Sequence, residues 1–191
     1  AFVVKPILIK GFERTWGLQG GMYKITFLTI IKKENSAVNA VYYPVSIKDL
    51  NKTDKRESGY CRVKVEGKDL SFYGKKIKTK NKNFWVYAAN PGKIKKPTNS
   101  HPIVQSYVDL FIGGCFQIKE RYKINEFPKQ CVETTTEWSK HWVNDRVHAR
   151  RPFLVPNFYK IDKLLSNYFD YYLENKYPVS YTHLRAHETC L

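Results

Sequence analysis

The order of two periodic patterns along the chain constrains its fold more than any other feature. Segments rich in Val, Ile, Thr, Phe and Tyr come first, and this composition is typical of β-strands. Apolar residues spaced three and four apart follow, which is the pattern of helices that face a core. Strands are predicted over residues 2–10, 23–31, 37–45, 61–65 and 83–89. Because the strands precede most of the helices, the sequence predicts an α+β domain.

The most regular helical pattern is SHPIVQSYVDLFIGGC at 100–115. Ser100 is the predicted N-cap and Pro102 lies in the predicted first turn. Gly113 and Gly114 predict either the end of this helix or a close contact. The apolar stripe occupies positions 103, 104, 107, 108, 111, 112 and 115.

Three further helices are predicted. A short one covers 46–57, with Ser46 as its N-cap and Asp49 three residues later, as in a capping box. A second lies in EFPKQCVETT at 126–135, with a proline in its first turn, and a third covers 157–175. The segment 137–156 has no clear period and predicts a long loop, a class of segment that often carries function.

Composition limits the classes of protein to consider. The chain has 191 residues, 42% of them hydrophobic, which suffices for the core of one domain. No run of about 18 apolar residues is present, so no membrane contact is expected. A net charge of +16 is typical of nucleic-acid binding. However, only eight of the 33 basic residues are arginines and they form no helix face, so we attribute the charge to compositional drift and expect no nucleic-acid partner.

The four cysteines, Cys61, Cys115, Cys131 and Cys190, form no CxxC pair, and no histidine lies at zinc spacing. The sequence therefore predicts no metal site. Cys61 and Cys115 have apolar surroundings in the sequence, where a free cysteine acts as a small hydrophobe. This favours reduced thiols and a cytoplasmic location.

Two constellations were weighed before a site could be chosen. No GxSxG elbow and no phosphate-binding glycine loop occurs, which argues against serine hydrolases and nucleotide-binding enzymes. The stretch WVNDRVHARR at 142–151 contains Asn144, Asp145 and Arg146. These residues could grip a carboxylate or a phosphate, or they could form an internal ion-pair knot that pins the long loop. Arg150 and Arg151 are expected to be exposed.

The polar stretch TDKRESGY at 53–60 interrupts the strand pattern. A lone glutamate in such a turn is usually solvated. Here the chain re-enters a strand within three residues of Glu57, and a carboxylate at the mouth of a strand can be partly desolvated. Glu57 is therefore a candidate general acid/base.

Three segments together resemble the gamma-glutamylcyclotransferase-like family: AVYYPVSIKDLNKTDKRESGYCRVKV at 40–65, NFWVYAAN at 83–90 and HPIVQSYVDLFIGGC at 101–115. The resemblance extends over about residues 5–175, and its most specific part is the block from Asp54 to Tyr60. It implies a small mixed β-barrel surrounded by helices.

The resemblance also implies an activity, the cyclisation of a γ-glutamyl amide or peptide to 5-oxoproline with release of an amine or amino acid. Glu57 matches the family's proton-transferring glutamate. Tyr60 and Tyr107 match pocket tyrosines, and Gly59 joins them as a substrate-binding position. The expected partner is a small γ-glutamyl substrate, with no cofactor. The alternative is a non-catalytic small-molecule-binding or scaffold module on the same fold.

The resemblance sets the expected domain limits as well. A single domain is predicted over 1–178. The family's YGS loop, which presents backbone N–H groups to the α-carboxylate region of the substrate, would precede Ala1, so the first strand and loop are expected to be missing from a truncated fragment. Residues 179–191 differ in composition from the rest and resemble a translated sequencing adapter, so they are expected to be a non-native tail.

Overall fold

A computed structural model describes residues 4–20, 22–74, 76, 78–151, 156 and 158–170. Within them the α+β class is confirmed. The predicted tail and the end of the last predicted helix lie outside the described residues. In chain order the elements are β1 Lys5–Gly20, β2 Ile25–Tyr42, α1 Ile47–Arg56, β3 Cys61–Val65, β4 Leu70–Phe72, β5 Phe84–Ala88, β6 Ile103–Val104, α2 Gln105–Tyr122, α3 Phe127–Glu133, β7 Thr135–Thr136, β8 Trp142–Val143 and α4 Tyr159–Leu165.

The long strands β1 and β2 form the centre of the sheet structure. They pair antiparallel, with β4 antiparallel and β7 parallel on the other side of β1. The pairs β3–β5 and β6–β8 are separate two-stranded sheets. Two backbone hydrogen bonds tie them to β2, from Ala89 N–H to Ile30 O at 2.8 Å and from Thr26 N–H to Pro102 O at 2.9 Å. Closure of these strands into a barrel stays a prediction.

Strand β2 corrects the prediction of separate strands at 23–31 and 37–45. The polar residues between them remain in the strand because they pair with β1, although their side chains are largely exposed. The register shifts between Lys10 and Phe12, at Gly11. Gly11 has φ +78°, a left-handed conformation that glycine adopts without steric cost. Backbone pairing therefore extends the strand where hydrophobicity alone predicts a break.

The helical stripe of α2 forms the larger core. Ile103, Val108 and Ile112 are fully buried together with Trp16 of β1. Two details of the prediction are wrong: the helix begins at Gln105, because Ile103 and Val104 pair with β8 instead, and it continues through Gly113 and Gly114 to Tyr122. A second core, which includes Ile7, Val38 and Phe84, lies among the strands.

The smaller helices agree more closely with the sequence. Ser46 caps α1, and its Oγ accepts a hydrogen bond from the Asp49 N–H at 3.1 Å, as predicted. Pro128 lies in the first turn of α3. None of the helices formed by the described residues is long and apolar enough to cross a bilayer.

The cysteines depart from the sequence expectation. Cys115 of α2 and Cys131 of α3 form a disulfide, so the prediction that Cys115 is a free buried thiol is wrong. Cys61 is free but exposed, not in apolar surroundings. Sequence spacing could not reveal the bond, because it depends on how two helices pack. The cytoplasmic location loses the support of those thiols and stays a prediction.

Candidate functional site

An open cleft with a volume of about 850 Å³ lies between helix α1 and strands of both central sheets. Its lining is mainly apolar and comes from β1, β2, β3 and β5. Helix α1 contributes polar side chains at its C-terminal end, including Glu57 and Arg56. The apolar lining includes Ile7, Ile9, Leu28, Ile30, Ala40, Val65, Leu70, Phe84 and Val86.

Glu57 caps the C-terminus of α1, and this position aims its side chain. Its N–H donates to Thr53 O at 2.8 Å and its carbonyl accepts from the Tyr60 N–H at 2.9 Å, which forms a tight turn. The Glu57 side chain is 28% exposed and pairs with Arg56, whose Nε lies 2.9 Å from Oε1. Because the turn is closed, Glu57 and Tyr60 both line the cleft.

The two predicted tyrosines lie close to this carboxylate. Burial raises the pKa of Tyr60, and the negative charge of Glu57 raises it further, while a hydrogen bond with Thr29 lowers it. Burial also raises the pKa of Tyr107, and the charge of Glu57 contributes in the same direction. Tyr107 lies behind the cleft wall, where its hydroxyl forms a hydrogen bond with the backbone of Leu28, a lining residue. The structure therefore brings Glu57, Tyr60 and Tyr107 into one electrostatic neighbourhood.

Gly59 lies in the turn between Glu57 and Tyr60. It is exposed, a Cβ there would meet no atom within 4 Å, and it is absent from the described lining of the cleft. Contact between Gly59 and a substrate stays a prediction that rests on the resemblance.

Sequence reasoning missed Arg14 of β1, which also lines the cleft. Its guanidinium donates to Asn39 Oδ1 at 2.9 Å, Cys131 O at 3.2 Å and Thr135 Oγ1 at 3.3 Å. These acceptors are neutral, and burial lowers the pKa of Arg14 to about 10. The available signal was an arginine placed between Phe12 and Trp16 in the alternation of a strand.

The stretch 142–151 resolves in favour of the internal knot. Arg146 donates from Nε and Nη2 to both carboxylate oxygens of Asp109 at 2.7 Å, and from Nη1 and Nη2 to those of Asp162 at 3.1 and 2.7 Å. Asp145 accepts from the Ser106 N–H and Oγ, each at 2.8 Å. These contacts occupy the groups that would otherwise grip a ligand.

The two arginines after the knot differ from each other. Arg150 is exposed, as predicted, and Arg151 is partly buried, so the prediction that both are exposed is wrong for Arg151. The Arg151 guanidinium lies over the ring of Tyr107, 5.0 Å from its centroid. No group of three or more His, Cys, Asp or Glu in the described part of the chain is arranged to hold a metal ion.

Comparison with known proteins gives limited similarities. No protein-family model and no curated protein matches this sequence. An uncharacterized protein from Homo sapiens is similar in structure, with a TM-score of 0.49 and 18% identity over 73% of this chain and 78% of that one. A gamma-glutamyl cyclotransferase has a TM-score of 0.49 and 16% identity over 87% and 85%. A protein from Arabidopsis thaliana has a TM-score of 0.32 and 18% identity over 66% and 76%. At these values the similarities carry no argument about activity, which must come from the residues of this chain.

Proposed function

We propose that this chain cyclises γ-glutamyl amides or peptides to 5-oxoproline, with Glu57 as the general acid/base. The observation that carries the proposal is that Glu57 and Tyr60 line one cleft, with the carboxylate 28% exposed above apolar walls. The cleft volume of about 850 Å³ is within the range of small-molecule sites. The sequence block around Glu57 supports the reaction class through its resemblance to the gamma-glutamylcyclotransferase-like family.

The reaction needs a base and then an acid at nearly the same place. Glu57 accepts a proton from the α-ammonium group, and the freed amine attacks the γ-carbonyl carbon to form a five-membered ring. The bond from that carbon to the leaving nitrogen then breaks, and Glu57 returns the proton to this nitrogen. No water is consumed. Because the nucleophile and the carbonyl belong to one molecule, positioning supplies a large part of the rate.

The pocket tyrosines suit this chemistry as hydrogen-bonding groups. The raised pKa values keep Tyr60 and Tyr107 protonated at neutral pH, so their hydroxyls are available as neutral donors. A neutral donor near the γ-carbonyl would stabilise the negative charge that develops on its oxygen. In this proposal Tyr60, which lines the cleft, has that role.

The Arg56–Glu57 ion pair favours a second candidate, a non-catalytic small-molecule-binding or scaffold module. A carboxylate held by a guanidinium at 2.9 Å is a weaker base than a free one. The pair is, however, exposed to solvent on the Arg56 side, where the side chain is 70% exposed, so it is screened and easily opened.

Release of 5-oxoproline from a γ-glutamyl dipeptide tests the proposal. Glu57→Gln should lower kcat by about 100-fold or more, the usual contribution of a general acid/base. Glu66→Gln is the matched control, because Glu66 is exposed and pairs only loosely with Lys64 at 3.8 Å. Equal rates for wild type and Glu57→Gln would remove Glu57 from the mechanism. Ligand binding without turnover in the wild type would favour the binding module.

A further inference from the structure

Two buried hydrogen-bond donors lack a partner among the described residues, and both belong to side chains that pack on Tyr107. They are Trp16 Nε1 and Arg151 Nε. The Trp16 ring contacts the Tyr107 ring edge-on, with centroids 5.4 Å apart, and the Arg151 guanidinium lies over that ring. An unsatisfied buried N–H costs about 1–3 kcal/mol, so two at one place indicate an acceptor that is absent from the protein itself.

The guanidinium of Arg151 is held in place by its backbone. The Arg151 N–H donates to Ser106 Oγ at 3.1 Å, and the Arg150 N–H donates to Asp145 Oδ2 at 2.8 Å. Asp145 is in turn bonded to the start of α2 through Ser106. The loop therefore fixes the arginine against α2 without using any of the side chain's donors.

The other buried arginines show what a satisfied guanidinium looks like in this fold. Arg14 has neutral acceptors on three residues and Arg146 has two carboxylates. The Arg151 guanidinium forms neither a hydrogen bond nor an ion pair with the described residues. Among these three it is the positive charge left for an external anion.

We propose that Arg151, assisted by Trp16 Nε1, binds the α-carboxylate of an amino-acid-type substrate beside Tyr107. A guanidinium recognises a carboxylate with two parallel N–H···O bonds, which gives both affinity and orientation. This inference rests on the proposed function for the choice of substrate. In a γ-glutamyl amide the α-ammonium and α-carboxylate are attached to the same carbon, so a substrate with its ammonium at Glu57 needs a positive group nearby. The pKa of Tyr107 responds to Arg151 and to Glu57, which places both charges near one hydroxyl.

The test uses a pair of ligands that cannot be turned over. Glutaric acid monoethylamide is γ-glutamylethylamide without its α-amine, so it retains the carboxylate but has no nucleophile. N-ethylglutaramide differs from it only in having a carboxamide in place of that carboxylate. Both are titrated into the full chain and followed by NMR, with a thermal melt of each variant as a check of folding.

The wild type should bind the acid more tightly than the amide. Arg151→Met should weaken binding of the acid about tenfold or more and leave the amide unchanged, because a charge-assisted hydrogen bond is lost only with the carboxylate. Arg151→Lys should fall between the two, since it keeps the charge without the planar fork. Trp16→Phe should weaken only the acid, by a smaller factor. Arg150→Met, which removes the same charge from the adjacent exposed residue, should bind like the wild type.

Three results would overturn the inference: no preference for the acid in the wild type, unchanged acid binding by Arg151→Met, or an equal loss of acid and amide in a folded Arg151→Met. Turnover of γ-glutamylethylamide is measured separately. Arg151-dependent acid binding without turnover would refute the cyclisation and leave the carboxylate site standing. Turnover that is insensitive to Arg151→Met would do the reverse.

Discussion

Replacing Arg146 with methionine should destabilise the fold more than any surface change. The guanidinium donates four hydrogen bonds of 2.7–3.1 Å to Asp109 and Asp162, whose side chains are each only 7% exposed. Methionine replaces the volume of the stem but leaves two buried carboxylates without this cation. Removal of one partner from a buried ion pair costs about 3–5 kcal/mol, and we expect a loss of that size in the free energy of unfolding.

Urea unfolding followed by tryptophan fluorescence measures this loss. Lys52→Met is the control, because Lys52 pairs with Asp49 on the surface, with side chains 68% and 58% exposed, and such a pair contributes about 0–1 kcal/mol. The slope of the free energy against urea concentration should stay the same in all variants if the folded state is unchanged. A loss below about 1 kcal/mol in Arg146→Met, equal to the control, would refute the reasoning.

A second substitution separates charge from packing. Arg146 also lies over the ring of Phe158, 4.4 Å from its centroid, so some of the loss could come from this contact. Adding Asp162→Asn to Arg146→Met removes one buried charge and should restore part of the stability. If nothing is restored, the lost ring contact explains the effect and the uncompensated charge does not.

Two further predictions concern tyrosine ionisation and the cysteines. Burial raises the pKa of Tyr107 above its ordinary value of 10.0 and the charge of Arg151 opposes this, so Arg151→Met should raise the pKa further, as measured by ultraviolet titration against Tyr107→Phe. The stability from this neutral phenol is present below pH 10.0 and lost as the pH rises through the folded-state pKa, so a fall in stability beginning below pH 10.0 would contradict it. In the native protein without reductant, an alkylating reagent should modify Cys61 and leave Cys115 and Cys131 unmodified, as checked by peptide mass spectrometry. Replacing both bonded cysteines with alanine should cost about 2–4 kcal/mol, the usual value for closing a loop of this length, and rapid alkylation of Cys131 would contradict the bond.

The candidate site could be predicted from the sequence only where its chemistry lies in one continuous stretch. Glu57 and Tyr60 are three residues apart in a turn, so local structure alone puts both at one place. Tyr107 required the packing of α2 against β2, and the resemblance supplied it. Arg151 was read as exposed, because its burial depends on a loop that is held by Ser106 and Asp145.

Local spacing determined the α+β class, the cap of α1 at Ser46 and the apolar face of α2, because period and capping act over a few residues. Tertiary structure alone decided three other features: that β2 is one strand, that Cys115 bonds to Cys131, and that Arg146 closes a knot instead of gripping a ligand. Each of these depends on contacts between residues far apart in the chain. Their energies come from backbone pairing, a covalent bond and charge burial, none of which leaves a periodic signal in the sequence.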